Sequence, residues 1–143
     1  MVYLSGPIDE ISDKERTRGW RERAAHRLGF FGQTAFDPTR AFFNPNMSNA
    51  AAVAEVNRCA IRFSVAMLVW LMEPETAFGT IREIEFARAR QIPVVIINER
   101  NLKSLFSHDV IQVRGMSEAM IVLQKEMGWE SSAEQKELPG SAK

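Results

Sequence analysis

A chain of 143 residues, 45% of them apolar and 25% charged, has an ordinary globular composition and room for one domain with a real core. Its 18 basic residues balance 18 acidic ones. That balance removes the net field that draws proteins to nucleic-acid polymers or anionic membranes, while leaving a local anion site open.

In chain order, residues 2–5 are a short apolar run stopped by Gly6 and Pro7, which predicts a buried strand with a tight turn at its carboxyl end. The N-terminal segment lacks the basic region and long apolar run of a signal peptide, so a cytoplasmic location is expected. Residues 13–28 have helical character, with Trp20, Ala24, Ala25 and Leu28 spaced for one face and Gly29 as a stop. A second short strand is expected over 34–38, ended by Pro38, followed by a polar and aromatic loop over 40–49. A helix over 50–63 contains the single cysteine, Cys59. One cysteine excludes a disulfide framework or a cysteine-rich zinc site, and its setting, "RCAIRF", predicts a buried structural thiol.

"AMLVWL", residues 66–71, is the continuous apolar run of a central strand covered on both faces, and is far too short to cross a bilayer. A loop leads to a helix near 80–90, then to a strand over 93–98, a weaker strand over 109–113 and a last helix over 117–127. Residues 1–128 form the expected domain, and the polar tail 129–143 is expected to be disordered. Strands alternating with helices predict an α/β fold with right-handed crossovers and a parallel five-stranded sheet between helical layers. Ligands of such sheets bind beyond the carboxyl ends of the strands, which points to "SGPID", "DPTR", "MEPETAFGT" and "NERN", the first three holding most of the candidate polar chemistry.

Each of these segments has a functional and a plain reading. Gly6 and Pro7 let the backbone approach a ligand closely, or simply end a strand. Neither a G-x-G-x-x-G fingerprint nor a Walker A loop is present, so dinucleotides and ATP have no motif support. Asp37 before Pro38 stands at the edge of the same crevice, or is ordinary turn chemistry. Gly79 and Thr80 suit a turn and helix N-cap. Glu83 and Glu85, two residues apart, are turned about 200° from each other on a helix, so they cannot share a face. A carboxylate near the strand ends can attack an electrophilic sugar carbon; alternatively both are surface residues, with Glu85 paired to Arg88. His26 and His108 have no metal-ligand spacing.

Taken in order, these motifs resemble the nucleoside 2-deoxyribosyltransferase superfamily, which includes N-glycosidases of nucleoside 5′-monophosphates. The opening Y-L-A-G-P-I-type loop is matched by Tyr3, Leu4, Ser5, Gly6, Pro7 and Ile8, a W-R pair by Trp20 and Arg21, and a D-P by Asp37 and Pro38. The signature G-T-x-x-E-I-G-x-A, then P-V, is matched by Gly79, Thr80, Glu83, Ile84, Ala87, Pro93 and Val94. The resemblance implies a flavodoxin-like three-layer sandwich and N-glycosidic cleavage or base exchange on a (deoxy)nucleoside or nucleoside 5′-monophosphate. It makes Glu83 the nucleophile that attacks C1′, with Glu85 as second choice.

It further implies that Tyr3, Ser5, Gly6 and Pro7 shape the pocket and that Asp37 and Asn57 touch base or ribose. Thr76, Gly79 and Thr80 would line the sugar or phosphate side. No metal or organic cofactor is implied, the partner is a small nucleoside or nucleotide, and a homodimer or larger homo-oligomer is expected. The chain departs from the family where Asn57 replaces a frequent aspartate, Ser64 and Val65 replace A-D, Ala77 stands for a phosphate-binding serine and Glu85 replaces glycine. Those departures motivate the competing reading, a nucleotide-binding or regulatory domain that has lost the chemistry.

Overall fold

The computed structural model describes residues 1–6, 14–41, 50–71, 78–100 and 110–131. Five strands, β1 (Val2–Ser5), β2 (Ala35–Phe36), β3 (Ala66–Trp70), β4 (Val94–Ile97) and β5 (Ile111–Val113), alternate with helices. The helices are α1 (Lys14–Gly29), α2 (Pro38–Ala41), α3 (Ala50–Arg62), α4 (Phe78–Ala89) and α5 (Met116–Met127). The sheet is wholly parallel in the order β2-β1-β3-β4-β5, so the α/β sandwich expected from the sequence is the one observed. Among the described residues no helix is long and apolar enough to cross a membrane.

The period-two alternation of a strand divides the core into two layers. Val2, Leu4, Ala66, Leu68, Val95 and Ile97 face one side and pack with Trp20, Ala24 and Leu28 of α1 and Ala119 and Leu123 of α5. Tyr3, Met67, Val69, Val94 and Ile96 face the other and pack with Ala60 and Ile61 of α3 and Ile84 and Ala87 of α4. Trp20 meets Trp70 edge to face, with ring centroids 5.5 Å apart. The central strands are apolar on both faces because both faces are covered.

The sequence expectations need four corrections. The second strand is Ala35–Phe36 rather than 34–38, and Pro38 opens a helical turn that takes in Arg40 of the supposed loop. Asp37 caps that turn: its Oδ1 accepts from the Thr39 backbone N–H at 2.9 Å and from the Thr39 hydroxyl at 2.6 Å. An aspartate at the cap followed by proline at the first helical position is a strong start signal, and it outcompetes strand extension. Cys59 is exposed, not buried, because α3 turns Ala60 and Ile61 to the sheet and Cys59 lies about 100° away from Ala60. Finally, α4 begins at Phe78, so Gly79 and Thr80 lie inside its first turn and neither is the cap. Pro7, Ile8, Thr76, Ala77, His108 and most of the polar tail lie outside the described residues.

Candidate functional site

In this strand order the chain reverses direction across the sheet between β1 and β3, and the crevice at their carboxyl ends is the favoured ligand position of the architecture. β1 delivers two hydroxyl groups there. Tyr3 and Ser5 are two positions apart, so both side chains project to the α3–α4 side while Val2 and Leu4 fill the opposite core. Tyr3 is held by its ring, which stacks on Phe36 with centroids 5.5 Å apart.

The helix after β3 supplies the carboxylate. Thr80, Ile84 and Ala87 are buried, and Glu83 lies three positions from Thr80 and four from Ala87, which turns it to the same side of the helix. Its Oε1 accepts from the Tyr3 hydroxyl at 2.8 Å and its Oε2 from the Ser5 hydroxyl at 2.5 Å. From α3, the Asn57 amide nitrogen makes a long contact to Oε1 at 3.5 Å, while Asn57 Oδ1 is buried without a hydrogen-bond partner among the described residues. Glu85 points elsewhere: it is exposed and bonds Arg88 Nη1 at 2.7 Å.

Burial pushes the Glu83 carboxyl above its ordinary pKa, against the hydrogen bonds from Ser5 and Tyr3 and the positive charge of Arg21, which all favour the anion. Tyr3 is raised too, first by burial and then by the Glu83 charge and hydrogen bond, so its hydroxyl stays a proton donor. Arg21 is lowered by burial, opposed by the charges of Asp37, Glu83 and Tyr3. The assembly is a carboxyl group held in a partly desolvated place by neutral donors, an arrangement whose anion is suited to meeting a developing positive charge.

The structure therefore brings Tyr3, Ser5 and Asn57 to Glu83. Gly6 closes the end of β1, where a Cβ would come within 3.1 Å of the Trp20 ring and 3.2 Å of Arg21 Nη2. Asp37 is engaged by Thr39 and by Arg21, whose Nε lies 3.7 Å from its Oδ1. A surface cavity of about 410 Å³ opens beside this pair, lined by Arg21, Glu22, Ala25, Ala35, Asp37 and Arg40. Thr80 is buried in α4 and Gly79 is exposed, with open space where a Cβ would stand. Arg21, matched in the sequence only as half of a W-R pair, is the polar residue that sequence reasoning did not place at the site. Its signal was its position: it lies three and seven residues before Ala24 and Leu28, on the apolar stripe where an arginine is out of place unless partnered.

No protein-family model and no curated protein sequence matches the chain. Among solved structures, the chain is similar to a 2-deoxyribosyltransferase from the psychrotolerant bacterium Bacillus psychrosaccharolyticus, with a TM-score of 0.68 and 13% identity over 83% of this chain and 89% of that one. It is also similar to a conserved protein from Enterococcus faecalis V583, with a TM-score of 0.70 and 14% identity over 87% of this chain and 97% of that one. The chain shares the fold of a 2-deoxyribosyltransferase.

Proposed function

We propose that residues 1–128 form a nucleoside 2-deoxyribosyltransferase-like domain that cleaves or transfers at the N-glycosidic bond of a (deoxy)nucleoside or nucleoside 5′-monophosphate. The single observation that carries this reading is the Glu83 carboxylate bonded by Tyr3 and Ser5 at the carboxyl end of β1. Glu83 attacks C1′ of the sugar, the C1′–N bond breaks with its electrons leaving on the base, and a glycosyl ester forms. Water or a second base then opens the ester and restores the carboxylate. Tyr3 and Ser5 hold the anion in line and disperse its charge. Pro7 and Thr76 belong to the proposed pocket by their place in the motifs, as do Gly6, Asp37, Gly79 and Thr80.

The raised pKa of Glu83 fixes the direction of the pH profile. Attack requires the anion, so the acid limb of the rate lies above the ordinary glutamate range. A panel of nucleosides and 5′-monophosphates, with and without an acceptor base, tests the reading by chromatography of the freed base. Glu83→Ala protein releasing base at the wild-type rate would overturn it. Asn57 favours one rival. A neutral amide 3.5 Å from Glu83, where the family often carries an acid, suits a domain that binds nucleotide without base release, and binding with no freed base in the same panel is its signature.

A further inference from the structure

A guanidinium carries five donors and keeps its charge, so burying one is costly unless it is partnered. Arg21 is fully buried. Its Nη2 donates to the Gly6 carbonyl at 2.9 Å, its Nε faces Asp37 Oδ1 at 3.7 Å, and its Cζ lies 4.7 Å from the centroid of the Trp20 ring. The first contact falls on the residue that follows Ser5. The second falls on the cap of α2, at the end of the neighbouring strand β2. Gly6 is fitted to the arginine, since any side chain there would crowd Nη2. Packing alone does not call for a charge at this position, because a methionine fills a comparable volume without needing partners.

We propose that Arg21 is a positioning residue for Glu83: through the Gly6 carbonyl it fixes the carboxyl end of β1, the strand that brings both hydroxyls to the carboxylate, and through Asp37 it ties that end to β2. The catalytic meaning of this role rests on the function proposed above, but its physical content does not. Among the described residues, the groups facing Glu83 are Tyr3 and Ser5 from β1, Asn57 from α3 and the charge of Arg21 from α1. Asp37, from the turn after β2, acts through Arg21 and on Tyr3.

The test is the titration of the Glu83 carboxyl carbon, followed by NMR without substrate in the wild type, Arg21→Met and Arg21→Lys, alongside kcat and KM for base release. In Arg21→Met the Glu83 midpoint moves to higher pH and kcat falls on the order of tenfold with KM little changed, the mark of a misplaced reacting group. In Arg21→Lys the retained charge brings the midpoint back toward the wild type, while kcat recovers only in part because the two-sided grip is lost. A folded Arg21→Met protein with a wild-type Glu83 midpoint would overturn the proposal. Should Arg21→Met not fold, Asp37→Asn decides: the less compensated arginine draws the Glu83 midpoint to lower pH, and an unmoved midpoint overturns the role. Because the titration needs no substrate, a protein that releases no base still tests Arg21. Conversely, base release that depends on Glu83 with an unmoved titration sinks the arginine alone.

Discussion

Replacing Tyr3 by phenylalanine removes one oxygen and leaves the ring stacked on Phe36. What is lost is the 2.8 Å bond to Glu83 Oε1, after which that oxygen keeps, among the described residues, the long 3.5 Å contact from Asn57. A hydrogen bond to a charged group contributes about 1.5–3 kcal/mol. For a chain of this size each kcal/mol is about 3 °C, so Tm falls by about 5–9 °C at neutral pH. The pH dependence separates this from simple packing. Tyr3 holds the Glu83 carboxyl down against burial, so its removal raises the folded-state pKa further. An acid raised by folding contributes its stability below the unfolded pKa and loses it as pH rises through the folded pKa. The variant loses more of it than the wild type does. Its deficit is therefore greatest at neutral and alkaline pH and shrinks as pH falls through the carboxyl range. Urea unfolding of both proteins across that range measures it. A deficit that is constant with pH would refute the charge-assisted bond.

Glu83→Gln abolishes base release while raising stability at neutral pH by about 1 kcal/mol, because a neutral amide escapes the desolvation of a buried anion; thermal melts show the gain vanishing in acid. Glu85→Gln changes stability by less than about 0.5 kcal/mol and leaves base release intact, as expected of an exposed ion pair. Chromatography that found this variant inactive would return Glu85 to the chemistry. Gly6→Ala forces a methyl against Trp20 and Arg21 and costs about 1–3 kcal/mol in denaturant unfolding.

In the sequence the choice of Glu83 over Glu85 came from the resemblance, and periodicity accounts for it afterwards. Tyr3 and Ser5 share a face of the candidate site because a strand alternates, and Glu83 rather than Glu85 turns inward because it falls in step with Thr80 and Ala87. Contacts between distant segments were not legible. Nothing local tells that Arg21 reaches the Gly6 carbonyl, or that Asp37 serves at once as the cap of α2 and the counter-charge of Arg21. The exposure of Cys59 was missed for a related reason: an apolar neighbourhood in sequence says how much of a helix is buried, not which side. The two-residue β2 lost its expected length to a capping signal that lay within the same five residues.

The alignment of β1 with β3, in which Tyr3 stands beside Met67 and Ser5 beside Val69, carries a further consequence. Sliding β1 by one residue would present Val2 and Leu4 to Glu83 and bury both hydroxyls among leucines and valines. A misthreaded molecule would then enclose a bare acid and lose its donor cluster in the same stroke. Any selection that preserves the donors around this carboxylate thereby proofreads the threading of the whole sheet.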